Sequence, residues 1–344
     1  MNNKKNLLIT FILPCYNVEK YVQHCLDSIY ECGMQENQFE VLCIDDCSTD
    51  NTAIVLENNQ RKYNNLKVVT HESNKGWGGP RNTGIKEAQG QYLWFVDADD
   101  LIIGNQLEKA LRKAVDVSLD VLCFNYQRID NHGNVVEIQP IFNEMDPQDG
   151  YSFAESAFGS GGIVYHMGYV WRFLYRTDYL RTHKLFFPEQ VCWEDTVFMP
   201  KSILEAERVA AVPDVLYSYR VNPQSISGIF GRVYPAKLIY EFAFCAGSDL
   251  LRFSEEVRKI ELKQALRNMA IHKYFNGYSI HLLRTSKEER KKFYQMVKDR
   301  YLEINEVKSY LTQFNKMMLN PALGPILANV CSMLYKLKHR KQWQ

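Results

Sequence analysis

No Cys-x-x-Cys pair occurs in this sequence, although it holds nine cysteines (Cys15, Cys25, Cys32, Cys43, Cys47, Cys123, Cys192, Cys245 and Cys331). The set is odd and scattered, so neither a zinc knuckle nor a disulfide framework is suggested, and reduced thiols of a cytosolic protein fit. Charge of one sign is not in excess. The 41 Lys and Arg against 40 Asp and Glu leave a net +1, which gives no global attraction to nucleic acid. No apolar run approaches membrane-spanning length. The N-terminal "MNNKKNLLITFILPCYN" has a strand-length apolar run, Leu7 to Leu13, and no Ala-x-Ala cleavage pattern, so it does not read as a signal peptide. A cytoplasmic protein is expected. Internal repeats and low-complexity tracts are missing too.

What is present reads as a globular α/β protein. The composition, 46% hydrophobic and 24% charged, supports a sizeable core. From Leu8 to about Tyr126, "LLITFIL", "FEVLCI", "LKVVTH", "QYLWFV" and "VLCFNY" read as strands. Between them lie helices, among them "VEKYVQHCLDSIYEC" with Tyr21, Val22, Cys25, Leu26 and Ile29 at helical spacing. Such alternation predicts a doubly wound, mostly parallel sheet with helices on both faces, its ligands held beyond the strands' carboxyl ends. Residues 1–126 and 127–231 read as two halves of one domain, and 232–344 as a helical C-terminal region.

Five polar clusters follow apolar runs, and each has a functional and a structural reading. In "WFVDADD" a buried strand ends in carboxylates. If the chain stays extended past Val96, Asp97 and Asp99 point the same way and repel unless a cation relieves them. Hard oxygen ligands suit Mg²⁺ or Mn²⁺; turn and helix-cap chemistry is the other reading. After strand one, "LPCYN" brings Pro14, which is expected to end the strand, then Tyr16 and Asn17. The Tyr16 ring either covers the sheet edge or stacks on a nucleobase, worth roughly 1–3 kcal/mol per base. In "IDDCSTD", Asp46 is placed to accept hydrogen bonds from a base or ribose, while Ser48 or Thr49 caps the next helix.

The loop "SNKGWGGPRNTG" lets backbone approach a ligand closely, with Lys75 and Arg81 supplying positive charge. A helix starting near Arg81 would offer N–H groups to a phosphate. The loop is neither a Walker A motif nor Gly-x-Gly-x-x-Gly, so kinases and dinucleotide dehydrogenases lose support. In "VCWEDTVF", Glu194 and Asp195 precede a helix among apolar neighbours. A carboxylate there serves either as a general base or as a dipole-favoured helix start.

Taken in order, "FILPCYNVEKYVQHCLDSI", "EVLCIDDCSTDNT", "NKGWGGPRNTGIKEAQGQYLWFVDADD" and "WEDTVF" resemble family 2 glycosyltransferases, over about Phe11 to Arg220. The resemblance implies an inverting enzyme of the GT-A fold. It implies a nucleotide-sugar donor, UDP-linked first, a divalent metal (Mn²⁺ or Mg²⁺), and a glycan or lipid-linked acceptor in bacterial surface polysaccharide synthesis. Carried over by position, Tyr16 and Asp46 would meet the nucleotide base, with Pro14 and Asn17 beside them. Asp97 would reach the ribose and Asp99 the metal, while Asp195, with Glu194, would act on the acceptor hydroxyl. Arg81 would lie near the base or the diphosphate. Two departures stand out: Cys47 in a position where the family often has glycine, and Trp77 with Gly78-Gly79-Pro80 in the glycine loop.

Two alternatives remain beside this reading, a sugar nucleotidyltransferase and a non-catalytic nucleotide-binding scaffold. A nucleotidyltransferase would carry a basic glycine-rich loop after strand one, where this chain has Pro14-Cys15-Tyr16-Asn17. The tail 321–344 has apolar Leu323, Ile326, Leu327, Val330, Met333, Leu334 and Leu337 on one helical face, then Lys336, Lys338, Arg340 and Lys341. It reads as a helix packed on the domain or as a basic amphipathic helix on the inner face of an anionic membrane.

Overall fold

The computed structural model describes residues 7–158, 169–189, 194–221 and 236–257, with short pieces between 260 and 330. The chain divides into two compact units: residues 1–190 with 194–222, and residues 191–193 with 223–344.

The first unit is built on a ten-stranded sheet. Its elements run β1 (Ile9–Cys15), α1 (Val22–Tyr30), β2 (Phe39–Asp45), α2 (Thr52–Lys62), β3 (Leu66–Thr70), α3 (Gly78–Glu87), β4 (Tyr92–Phe95), β5 (Leu101–Ile102) and α4 (Leu107–Asp116). There follow β6 (Val121–Ile129), β7 (Val135–Gln139), β8 (Met145–Gln148), α5 (Gly150–Phe158), β9 (Phe173–Arg176), α6 (Thr177–Thr182), α7 (Asp195–Leu204) and β10 (Val209–Arg220). The strand order is β3-β2-β1-β4-β9-β6-β10-β5, with β7 on β6 and β8 on β10. Strands β3, β2, β1 and β4 are parallel, β10 is parallel to β6, and β9 runs antiparallel between β4 and β6.

The chain winds from β1 to β2 and β3 on one side, then returns to place β4 on the other side of β1. That reversal opens a crevice at the carboxyl ends of β1 and β4, where ligands bind in such sheets. Because both faces are covered, β4 is buried throughout, which explains its lack of polar alternation. Ile9, Phe11, Leu13, Tyr92 and Trp94 pack against Val22, Cys25, Leu26 and Ile29 of α1 and Leu107, Leu111 and Ala114 of α4. On the opposite face α3 comes so close that a Cβ on Gly84 would sit 2.3 Å from the Ile12 side chain. Only glycine fits there.

Several local expectations are corrected. Pro14 does not end β1: the strand continues to Cys15, paired with Asp45. Neither Ser48 nor Thr49 caps α2. The Asp50 carboxylate accepts from Thr52 N (2.9 Å) and Glu19 from Asn51 N (3.0 Å), while Ser48 Oγ accepts from Asn17 N (3.1 Å). Helix α3 begins at Gly78 instead of near Arg81, which therefore lies one turn inside.

In the second unit the described part is helical, led by α8 (Ala236–Glu256). Leu250 and Phe253 are buried, and Glu255 pairs with Lys263 (2.7 Å) and Arg267 (2.6 Å). The basic cluster at Lys336 to Lys341 lies outside the described residues. Among the described residues no helix is long and apolar enough to cross a membrane.

Candidate active site

The carboxylates after β4 sit on a turn. Asp100 N donates to Asp97 O (3.0 Å), so the chain reverses instead of staying extended past Val96. Asp100 fixes this turn from within. Buried beneath it, its carboxylate accepts from Tyr217 OH (2.8 Å) and Arg220 N (2.7 Å). Tyr217 OH also accepts from Asp97 N (3.1 Å), and Arg220 Nε donates to Asp99 O (2.9 Å). The end of β10 thus holds the turn through four hydrogen bonds. Nothing in "YSYR" marks this role, since the sheet pairing of β10, parallel to β6 and antiparallel to β5 just after the turn, carries it there.

Arg81 joins the two acidic segments that lie about a hundred residues apart in sequence. Its Nη2 donates to Asp97 Oδ1 (2.8 Å) and its Nη1 to Glu194 Oε1 (2.5 Å) and Trp77 O (3.0 Å). Asp97, on the turn, and Glu194, at the head of α7, are therefore bound to one buried guanidinium. Burial opposes the charge on Arg81, but Asp97, Glu194 and Asp195 outweigh it and raise its pKa. Burial likewise pushes Glu194 upward, Arg81 pulls it back, and Asp195 pushes further. Arg81 is engaged on both sides with protein acids.

The glycine loop supports this bridge. Asn82 clamps the Phe187 backbone in both directions, at 2.9 and 2.8 Å. A Cβ on Gly78 would fall 2.4 Å from Pro188 O, so the start of α3 needs glycine to touch the Phe187-Pro188 backbone. Asp195 is the first residue of α7, half-buried, with Thr196 N donating to its Oδ1 (2.8 Å).

Asp46 takes a different place from the one expected of it. It is buried, with His71 Nδ1 2.6 Å from its Oδ1 and Lys75 N donating to both oxygens (2.9 and 3.1 Å). His71 Nε2 in turn lies 2.9 Å from Thr83 Oγ1 on α3. Asp46 and His71 shape the loop that leads to Arg81 instead of facing solvent. Asn17, with φ 54°, ties two loops by accepting from Thr49 N (2.8 Å). Tyr16 stands free at the edge, 47% exposed, and Lys75 is half-buried. Cys15, Cys25, Cys32, Cys43, Cys47 and Cys123 are free thiols.

Cys47 has φ 67°, the left-handed conformation that glycine adopts without strain. Cys47→Gly should therefore stabilise the protein by a few tenths to about 1 kcal/mol, after allowing for the greater unfolded-state entropy of glycine. Urea unfolding tests this, and a lower midpoint would contradict it.

Asp99 has the chemistry of a cation ligand. It is half-buried, without an ion-pair partner among the described residues, and its pKa is pushed up to about 6 by burial and then by Asp97. Among the described residues no three His, Cys, Asp or Glu side chains form a complete metal cage. Two hard oxygen donors on one turn fit an ion that takes its remaining ligands from substrate phosphates and water.

Comparison with known proteins agrees with this architecture. The profile of the family described as Glycosyl transferase family 2 matches residues 10–205. The glycosyltransferase EpsJ of Bacillus subtilis strain 168 is 31% identical over 230 residues, covering 64% of this chain and 63% of that one. TarS of Staphylococcus aureus strain MW2, a poly(ribitol-phosphate) beta-N-acetylglucosaminyltransferase, is 34% identical over 210 residues, 60% of this chain but 34% of its own length. The chain thus spans between about one third and two thirds of these relatives. The crystal structure of S. aureus TarS 1–349 with UDP-GlcNAc superposes with a TM-score of 0.71 at 25% identity, over 96% of this chain and 92% of that one. The fold is of the GT-A type, and the sugar nucleotidyltransferase and scaffold readings gain no support. The chain belongs to glycosyltransferase family 2.

Proposed function

We propose that this glycosyltransferase moves a sugar from a nucleoside-diphosphate donor, UDP-linked first, to an acceptor hydroxyl in one displacement that inverts the anomeric centre. The observation that carries this reading is the Arg81 bridge, which ties Asp97 on the carboxylate turn to Glu194, next to Asp195. The nucleotide would lie over the crevice between β1 and β4, with Tyr16 against the base and Asp97 toward the ribose. Lys75, Pro14 and Asn17 would border it. Asp195 would take the proton from the acceptor oxygen as that oxygen attacks the face opposite the diphosphate. Asp195, half-buried at the first position of α7, offers a carboxylate that can accept this proton. Glu194 is read as positioning this helix start through Arg81, not as a second proton carrier.

A divalent ion held by Asp99, with Asp97 near it, would offset charge on the leaving diphosphate. Asp99 also sets a pH dependence. Its folded-state value lies above the ordinary 3.8, so it stabilises the fold most when protonated. That contribution is lost as pH rises through about 6, where the carboxylate becomes free for a cation. Metal-dependent donor binding should weaken as pH falls through about 6 and become metal-independent in Asp99→Ala. Mn²⁺ titration by calorimetry checks both; an unchanged titration in the variant would remove Asp99 from the metal site.

The acceptor would be a glycan or lipid-linked saccharide, at the inner membrane face if the tail binds lipid. The resemblance to TarS makes UDP-GlcNAc the first donor to try. Product analysis tests the whole reading. Free UDP released only with added Mn²⁺ or Mg²⁺ and acceptor supports it; pyrophosphate release, or binding without turnover, contradicts it.

A further inference from the structure

A graded stack of aromatic rings leads from the core to the surface beside the carboxylate turn. Tyr217, fully buried, stacks on Trp171 at 4.3 Å and 8°, and Trp171 stacks on Tyr169 at 5.0 Å and 25°. Tyr219 flanks both, 5.7 Å from Trp171 and 6.1 Å from Tyr169. Trp171 is fixed by its carbonyl, which accepts from Trp94 Nε1 (2.7 Å). Tyr169 is 43% exposed: its ring is backed by Trp171 and approached at a tilt by Tyr126 (6.1 Å), and the remainder is open to solvent.

Topology places this stack at the sheet's carboxyl edge. Residues 169–172 enter β9, whose antiparallel start lies beside the carboxyl end of β4 and opposite Cys123 of β6. Tyr217 and Tyr219 end β10 on one face of it. Tyr217 reaches the turn itself, through Asp100 and Asp97 N. Burial, then the charges of Asp100, Tyr169, Asp97 and Asp99, push the Tyr219 phenol upward, which marks its closeness to the same turn. The rings lie over β9, β6 and β10, across the turn from the β1–β2 side where Tyr16 stands.

We infer that Tyr169, backed by Trp171 and flanked by Tyr219, is an acceptor subsite that receives the apolar face of a pyranose ring. The inference rests on the transferase reading above and names its acceptor class. The positively polarised C–H groups of a pyranose face match the negative face of an aromatic ring. A rigid ring already held by neighbours loses little freedom on binding. The donor's nucleotide side is on the other flank of the turn, and a displacement needs its two partners on opposite sides of the anomeric carbon. An open-chain polyol phosphate has no flat face to offer this site.

The test uses the full chain without nucleotide, so its outcome is independent of donor binding. Saturation-transfer NMR is recorded with methyl β-D-glucopyranoside, the methyl β-glycoside of N-acetylglucosamine, and ribitol 5-phosphate. Saturation should reach protons of one pyranose face, fall roughly fivefold in Tyr169→Ala and persist in Tyr169→Phe. Ribitol 5-phosphate should receive none. Thermal unfolding of Tyr169→Phe should match the parent, and Tyr169→Ala should stay folded with a slightly lower midpoint from the lost stacking on Trp171. Equal transfer to parent and Tyr169→Ala, no transfer from either pyranoside, or Tyr169-dependent transfer to ribitol 5-phosphate would overturn the assignment.

Discussion

Asp195→Asn should lower sugar transfer by roughly 10²–10⁴-fold, the usual contribution of a positioned general base, while leaving donor binding nearly unchanged. Asparagine keeps the shape and the hydrogen-bonding acceptor facing Thr196 N, but it cannot take a proton. The split between chemistry and binding is the informative part. Asp195 begins α7 and does not ion-pair with Arg81, whose amino groups go to Asp97 and Glu194. Its amide should therefore leave that bridge in place. Initial rates with saturating donor, alongside calorimetric donor affinity, measure both quantities. A parallel loss of donor affinity would mean that Asp195 supports the donor site instead of acting on the acceptor.

Arg81→Met should be the most destabilising single change in the site. Arg81 and Glu194 are both buried, and removing one partner leaves an uncompensated acid, at a cost of about 3–5 kcal/mol. It should also release Asp97 from Glu194, so activity should fall with stability. Pairing it with Glu194→Gln removes the stranded charge and should recover much of the unfolding free energy without recovering transfer, because Asp97 would remain unsupported. Arg81→Lys should not substitute fully, since one ammonium cannot present a planar fork to two carboxylates. Urea unfolding of the three variants checks this. A double variant as unstable as Arg81→Met would show that the cost lies in lost packing and not in the stranded carboxylate.

The parts of the fold that follow from local pattern were readable directly. The uninterrupted apolar strands, the helical spacing of Val22, Cys25, Leu26 and Ile29, and the glycine loop all announced themselves. The site was legible as segments but not as a set of contacts. Asp46 and Arg81 looked like ligand-binding groups because each follows a strand end. Whether such a group faces ligand or protein depends on which loop folds over it, and His71 and Glu194 are distant in sequence. Asp100, Tyr217 and Arg220 gave no signal, because β10 lies more than a hundred residues on in sequence and reaches the turn only through its pairing with β5 and β6. The glycine at Gly78 was visible, yet its reason, the backbone of Pro188, was not.

The most direct test of the account is a crystal structure of this chain with Mn²⁺ and a bound UDP-sugar. The account predicts the diphosphate at the carboxyl ends of β1 and β4, an ion on Asp99, and the Asp195 carboxylate facing the anomeric carbon from the side opposite the diphosphate. A nucleotide seated elsewhere, or Asp195 turned away from the sugar, would contradict it.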